Sequence, residues 1–258
     1  MNNNIPYNTL KRYNFKLRLS LLICKQPSCR ISYFSDKSYM LDKIIPMRRY
    51  LSDIIEKGEG LHLDFKFEIS DARKIARTLV AFSNTEGGKL LIGVKDNGKI
   101  AGIRSEEEYF MLESASSLYC KPRVNYNAKK WAIEGKTVLE VDIPPANTRP
   151  YLAMNHDGRW LAYIRVYDQN IQVNSIQIRV WENAKRKKGV FLKYTEKEKI
   201  LMDYLEKNPE ITLPGFCRLA EISYRKASDI MVKLVSLKLI NIVYSDKSIV
   251  YKLNSICN

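Results

Sequence analysis

Positively charged side chains are the residues of this sequence with the clearest chemical role. The chain of 258 residues has 43 lysines and arginines against 28 aspartates and glutamates, which gives a formal net charge of +15. Such a charge favours polyanionic partners, either nucleic acid or an anionic membrane surface, although a basic and inert surface has the same composition. The cations that we predict to contact phosphate are Lys66, Arg73, Lys74, Arg77 and Arg165.

Cysteine and histidine chemistry has little support. The five cysteines are scattered, odd in number and without CxxC spacing, which is typical of reduced thiols in a cytoplasmic protein. Only two histidines are present, so no Cys/His cluster for structural zinc is predicted, and a bound metal would need carboxylate ligands. No segment approaches the roughly 20 consecutive apolar residues of a membrane helix. We therefore expect no membrane partner.

The first 46 residues differ from the rest of the chain. They are rich in Asn, Tyr, Ser and Lys, and their eight basic and two acidic residues give +6 of the total charge of +15. The remaining residues still carry +9, so the argument from charge does not depend on them. We expect residues 1–46 to be a poorly ordered extension, or the natural start to lie near Met40 or Met47.

Residues 47–182 show the periodicity of a mixed domain. A strand at residues 61–68 precedes a helix capped by Ser70, whose solvated side carries the three cations between positions 73 and 77. Gly87 and Gly88 close that helix before a buried strand, and residues 96–98 (Asp-Asn-Gly) predict a hairpin turn. Helices and hairpins alternate without a repeating βαβ unit, which indicates the α+β class.

Residues 194–253 predict three short helices followed by a β-hairpin. Thr195 and Glu198 form a capping box for the first helix, and Thr212 caps the second. This order resembles the winged helix-turn-helix family, with residues 245–247 at the tip of the wing. The resemblance implies that the third helix reads the major groove, although winged helices also bind proteins. The implied contact residues are Ser223, Tyr224, Arg225, Lys226 and Ser228.

A basic segment, residues 183–193, joins the two predicted domains. It contains four consecutive cations at positions 185–188. A charge run of this kind indicates either a solvated linker or a dedicated patch for phosphate contact.

The central domain also carries recognisable motifs. In residues 58–66 a glutamate is followed five positions later by an acid, Phe and Lys, and residues 81–98 combine a helix end, a double glycine, a strand and an acidic turn. A Gly-Ile return at residues 100–103 and a late strand with an arginine at residues 162–166 follow. This succession resembles the Schlafen-type AlbA-like domain. The resemblance implies an AlbA-like mixed sheet with flanking helices and, from bacterial members, a DNA-binding or regulatory role.

In eukaryotic Schlafen relatives the same domain is an endoribonuclease with three carboxylates, and the resemblance places these at Glu59, Asp64 and Asp96. Three converging carboxylates could hold Mg²⁺ or Mn²⁺ and activate water for attack on a phosphate. Asp64 is one methylene shorter than the family's glutamate, and turn chemistry alone explains Asp96. The Schlafen core pairs two lobes, so a homodimer would supply the lobe that is missing here.

Three functions therefore remain. We favour a DNA-binding transcriptional regulator, with DNA preferred over RNA and no cofactor, and the alternatives are a Mg²⁺- or Mn²⁺-dependent nuclease and an adaptor that binds protein. Many members of the family are labelled ATP-binding. The sequence does not support ATP as a cofactor, because it has no GxxxxGK[ST] loop and its double glycine precedes a strand.

Overall fold

The computed structural model describes residues 49–133, 135–186, 191, 193–245 and 248–254. The predicted extension at residues 1–46, the start sites Met40 and Met47, part of the predicted linker and the tip of the predicted wing lie outside the described residues. The chain divides into two units, residues 1–51 and residues 52–258. All of the described strands and every described helix except the first belong to the second unit.

The described residues form seven helices and eleven strands. The helices are α1 (residues 49–56), α2 (Ala72–Asn84), α3 (Glu107–Leu118), α4 (Ser175–Lys185), α5 (Glu196–Lys207), α6 (Leu213–Leu219) and α7 (Tyr224–Ser236). The strands are β1 (Leu63–Lys66), β2 (Gly88–Ile92), β3 (Cys120–Lys121), β4 (Asn127–Ile133), β5 (Lys136–Ile143), β6 (Leu152–Met154), β7 (Trp160–Leu161), β8 (Tyr163–Val166), β9 (Gln169–Gln172), β10 (Ile240–Tyr244) and β11 (Ile249–Leu253). None of these helices is both long and apolar enough to cross a bilayer.

The largest sheet has four strands in the order β1-β2-β5-β4. Strands β1 and β2 run parallel, because α2 carries the chain back between them, and the other neighbours are antiparallel. A mixed sheet with helices against it confirms the predicted α+β class. The Asp-Asn-Gly turn is also confirmed, since Val94 bridges Ile100 across it.

Helix α2 is the centre of the core. Ile75, Leu79 and Phe82 recur at helical spacing and are each at most 2% exposed. The helix begins one residue later than predicted, because the side chain of Asp71 rather than that of Ser70 accepts the hydrogen bond of the Arg73 amide. It ends before Gly87, which has a φ of +78° and at which an added Cβ would lie only 2.7 Å from the Ile143 carbonyl oxygen. Both features require glycine at this position.

Shorter strands cover the other side of α2. A three-stranded sheet has the order β3-β6-β7, and β8 pairs with β9 in a hairpin. The single strand predicted for residues 160–166 is thus divided at Ala162, with β7 paired to β6 and β8 paired to β9. This division places Tyr163 in the same core as α2.

The C-terminal part has the predicted order of three helices, α5 to α7, and a hairpin, β10–β11. Its core contains Phe216, Met231 and Tyr251. Helix α4 belongs to this core through Ile176, and a separate cluster joins Val173 to Tyr244 of β10. The predicted domain boundary at residue 182 therefore falls inside a helix that packs against the C-terminal part.

Candidate nucleic-acid interface

Three cations lie on the solvent side of α2, and we call them the α2 patch: Arg73, Lys74 and Arg77. The Arg73 guanidinium lies 4.9 Å from the centre of the Tyr119 ring, and that of Arg77 lies 5.3 Å from the Tyr163 ring. Such stacking holds an arginine in place without neutralising its charge. No carboxylate within the described part of the chain forms an ion pair with any member of the patch.

One further cation lies close to this patch. Lys121 of β3 follows Tyr119 by two residues, and its ammonium group lies 6.0 Å from the centre of the Trp160 ring. It too forms no ion pair with a described carboxylate. The sequence did not single out Lys121 because a strand of two residues has no periodicity to read.

Many other cations are already paired with acids. Lys89 contacts Glu140 at 2.8 Å and Asp142 at 3.1 Å. Burial has the largest single effect on the pKa of Lys89 and lowers it, but the two acids together raise this pKa above its usual value. Arg123 contacts Glu113 at 2.7 Å. The formal charge therefore overstates the number of cations that can meet a phosphate, and it is the unpaired ones that matter.

Arg165 was predicted to contact phosphate, but the structure places it inside the protein with a side chain that is 1% exposed. Its guanidinium donates to the carbonyl oxygens of Gly60 (3.0 Å) and Leu63 (3.2 Å), to Asp64 Oδ1 (3.1 Å) and to Asn170 Oδ1 (3.1 Å). These bonds tie β8 to the start of β1. Arg165 therefore positions the strands and is not part of the candidate nucleic-acid interface.

Lys66 is likewise engaged by the protein. Its ammonium group lies 2.9 Å from Asp64 Oδ2 and donates to the Phe65 carbonyl at 2.6 Å. The Lys66 side chain is 36% exposed, so its ammonium group can contact phosphate only while it also neutralises Asp64.

The three carboxylates of the predicted metal site are not arranged as expected. The Glu59 carboxylate accepts a hydrogen bond from the Phe65 amide at 2.7 Å. The pKa of Glu59 is raised, mainly by burial and next by its hydrogen bond with Asp64. Asp64 faces two cations, Arg165 and Lys66, and Asp96 lies exposed in its turn. Among the described residues no three His, Cys, Asp or Glu side chains are placed to hold a metal ion. These residues do not fit a three-carboxylate metal centre.

The third helix of the C-terminal part, α7, is only partly accessible. Ser223 caps it by accepting the Lys226 amide, and the side chains of Tyr224, Arg225 and Lys226 in its first turn are exposed. Further along, Ser228 is 6% exposed, although we had predicted a contact to DNA there. Helix α4 packs along this stretch, with Arg179 donating to Asp229 at 2.6 Å. Ser228 is therefore buried in the protein, and Asp229 is engaged by α4 although its side chain is 46% exposed.

The fold and the unpaired cations define a mixed α+β domain with one basic helical face. Residues 59–174 match the family model described as Schlafen, AlbA_2. The resemblance found in the sequence is confirmed for these residues. The match ends before α4, so the resemblance of residues 194–253 to a winged helix-turn-helix remains a prediction.

Two solved structures are similar to the chain at low sequence identity. The DIP2311 protein from Corynebacterium diphtheriae is 17% identical with a TM-score of 0.38, over 61% of this chain and 36% of that one. The N-terminal domain of a RecG-related protein from Nitrosomonas europaea is 23% identical with a TM-score of 0.31, over 38% of this chain and 72% of that one. This chain thus spans little more than a third of the DIP2311 protein. No curated protein matches it.

Proposed function

We propose that this protein binds nucleic acid through the α2 patch and Lys121. The observation that carries the proposal is that these four cations lack a carboxylate partner among the described residues, and three of them share one face of α2, whereas Lys89, Arg123, Lys130 and Arg159 are each paired with an acid. Cations that are free to replace the counterions of a phosphate chain supply most of the affinity in non-specific binding. The charged groups of three of them lie within 6.0 Å of the centre of an aromatic ring, which restricts them without neutralising their charge.

The AlbA_2 family gives the proposal independent support, because its bacterial members are generally regarded as DNA-binding or regulatory proteins. We propose DNA as the preferred ligand over RNA, and a regulatory role in the cytoplasm as the context. A homodimer, which would supply the second lobe of the Schlafen core, remains a prediction.

The contacts of Ser228 and Asp229 within the protein limit how α7 could read a sequence. Base contacts in the major groove normally come from several turns of a recognition helix. Here the first turn is the most exposed part of the helix, through Tyr224, Arg225 and Lys226, while Ser228 is buried and Asp229 is bonded to Arg179 of α4. We therefore propose that phosphate contacts give most of the affinity and that these three side chains add a modest preference for sequence.

Salt-titrated binding tests this proposal. A labelled 20-base-pair DNA duplex and an RNA duplex of the same sequence are titrated with the full-length protein between about 50 and 200 mM salt. The expected result is an affinity that falls steeply with salt, with a slope of about 0.9 for each phosphate contacted, and tighter binding of DNA. Affinity that does not depend on salt would leave the protein-binding adaptor as the better explanation.

A further inference from the structure

A recess of about 310 Å³ lies between the loop that follows β5 and the last turn of α4. The loop supplies Asn147, Thr148 and Arg149, and the helix supplies Trp181 and Lys185. Two cations, two neutral polar groups and one large aromatic ring thus share a small concave space, and no acidic residue of the described chain lines it. Neither Gly87 and Gly88 nor the α2 patch forms part of it.

The loop side of the recess is fixed by the end of α2. The Ala146 amide donates to the Ser83 carbonyl at 2.8 Å. Asn84 clamps Tyr151 by accepting from its amide at 2.9 Å and donating to its carbonyl at 2.8 Å. Because hydrogen bonds hold the loop at both ends, its polar groups are positioned before any ligand arrives, which lowers the entropic cost of binding.

Arg149 is the strongest indication of a ligand. One of its terminal nitrogens donates to the Thr85 carbonyl, which fixes the plane of the guanidinium. Its Nε is buried and has no hydrogen-bond partner within the described structure, and no described carboxylate pairs with the side chain. A guanidinium has five N–H donors, and the bond to Thr85 uses one of them. Because Nε is buried, an anionic acceptor in the recess would meet the terminal N–H groups that remain.

The helix side adds a ring and a second charge. Trp181 and Lys185 are one turn apart and so project from the same face of α4. Trp181 is half-buried against the cluster that contains Val173 and Tyr244, which restricts its ring. Lys185 is exposed and unpaired with any described carboxylate. A planar group could lie against the ring while an attached anion meets Lys185 and Arg149.

We infer that this recess takes one nucleotide unit, with its phosphate on Arg149 and Lys185 and its base against Trp181. The volume is at the lower end of the roughly 300–1,000 Å³ of small-ligand sites, so it suits a mononucleotide and excludes a length of duplex. The inference rests on the proposed function in one respect. The nucleotide unit would be an unpaired end of the nucleic-acid strand that the protein is proposed to bind. The inference also gives Lys185 a role. The sequence alone indicated either a solvated linker or a phosphate contact for the run of cations that begins there, and the inference makes Lys185 a phosphate contact.

Adenosine monophosphate is the probe for this inference. The full-length protein is titrated with it while tryptophan fluorescence is followed, and adenosine and inorganic phosphate are titrated in parallel. We expect adenosine monophosphate to change the fluorescence and to bind at least about tenfold more tightly than either part alone. Trp181→Phe should abolish the fluorescence change, because Trp131 and Trp160 lie outside the recess.

The charged residues are tested with Arg149→Gln and Lys185→Gln, each of which should weaken binding by about tenfold, as for one charged hydrogen bond. Arg159→Gln is the matched control, because Arg159 is exposed and paired with Asp157 outside the recess. Lys185 is exposed, so its variant remains informative if loss of the Arg149–Thr85 bond impairs folding. Equal binding by Lys185→Gln and the wild-type protein would overturn the inference.

The two proposals can fail separately. Salt-dependent binding of duplexes without any response to adenosine monophosphate would overturn the recess and leave the proposed function in place. A response to adenosine monophosphate without binding of DNA or RNA would support the recess as a nucleotide site and overturn the proposed function. Inorganic phosphate that binds as tightly as the nucleotide would show that Trp181 has no role and would overturn the inference as stated.

Discussion

Helices α2 and α7 both carry cations at helical spacing, but their surroundings differ. Two of the three cations of α2 lie over aromatic rings, and none of the three has a carboxylate partner among the described residues. On α7 the first turn is exposed, while Ser228 is buried and Asp229 is bonded to Arg179 of α4. Spacing therefore predicts which side chains share a face of a helix, and only the packing decides whether that face is free.

Single residues show the same contrast. Arg77 and Arg165 were both predicted to contact phosphate. Arg77 stacks on Tyr163 at the surface, whereas Arg165 is buried and bonded to Asp64 and to two carbonyl groups of the segment around β1. The first is available to a ligand and the second holds the fold together.

The largest effect should come from breaking the buried pair. Arg165→Met leaves Asp64 buried with only Lys66 to neutralise it, so we expect the free energy of unfolding to fall by about 3 kcal/mol or more. Arg77→Met should cost less than about 1 kcal/mol. Urea denaturation measures both. An Arg165→Met protein as stable as Arg77→Met would show that Arg165 is not structural.

The next effect concerns the two parts of α7. Replacing both Arg225 and Lys226 by Gln should weaken DNA binding by up to about 30-fold, taking roughly 0.2 to 1 kcal/mol for each exposed contact. Ser228→Ala should leave the affinity unchanged, because that residue is buried. Fluorescence anisotropy with a labelled duplex compares the two variants. A large loss from Ser228→Ala would mean that α4 moves away and that α7 reads the groove along its length.

A smaller effect should follow from Glu59. Its pKa is raised by burial and by Asp64, so ionisation of this side chain is less favourable in the folded protein than in the unfolded chain. Its contribution to stability is present at low pH and is lost as the pH rises through the raised pKa. Glu59→Gln should match the wild-type protein in acid and be the more stable of the two at neutral pH. Thermal unfolding across this pH range would show it, and the opposite trend would contradict the burial of Glu59.

No effect is expected from added manganese. Asp64 is already neutralised by cations, and Asp96 lies apart in its turn, so labelled RNA incubated with the protein and Mn²⁺ should remain intact. Asp64→Ala serves as the control for contaminating nuclease. Cleavage by the wild-type protein that is lost in Asp64→Ala would restore the Schlafen nuclease as the function.

Much of the fold could be predicted because its signals are local. The apolar spacing of α2, the Asp-Asn-Gly turn and the capping box at Thr195 each specify structure within a few residues. Contacts between distant residues were missed. Nothing near Arg165 in the sequence indicates Asp64 as its partner about a hundred positions earlier, and nothing in α7 indicates that α4 contacts it.

The site was predictable to the same extent. Arg73, Lys74 and Arg77 could be proposed from the sequence because they share a helical face, whereas Lys121 and the recess at Arg149 depend on how short strands and a loop meet α2. The alternative metal site rested on a motif, and a motif gives the identity of its acids without giving the cations that pair with them in the fold.

Two triple variants of equal charge test the central claim most directly. Arg73→Gln/Lys74→Gln/Arg77→Gln removes the unpaired cations of the α2 patch, and Arg123→Gln/Lys130→Gln/Arg159→Gln removes three that are paired with acids. The duplex affinity of each is measured against salt. We predict that the α2 variant loses up to about a hundredfold in affinity together with roughly 0.9 of salt slope per lost contact, and that the paired variant changes little. Equal losses in the two variants would contradict the account, because net charge rather than the α2 patch would then govern binding.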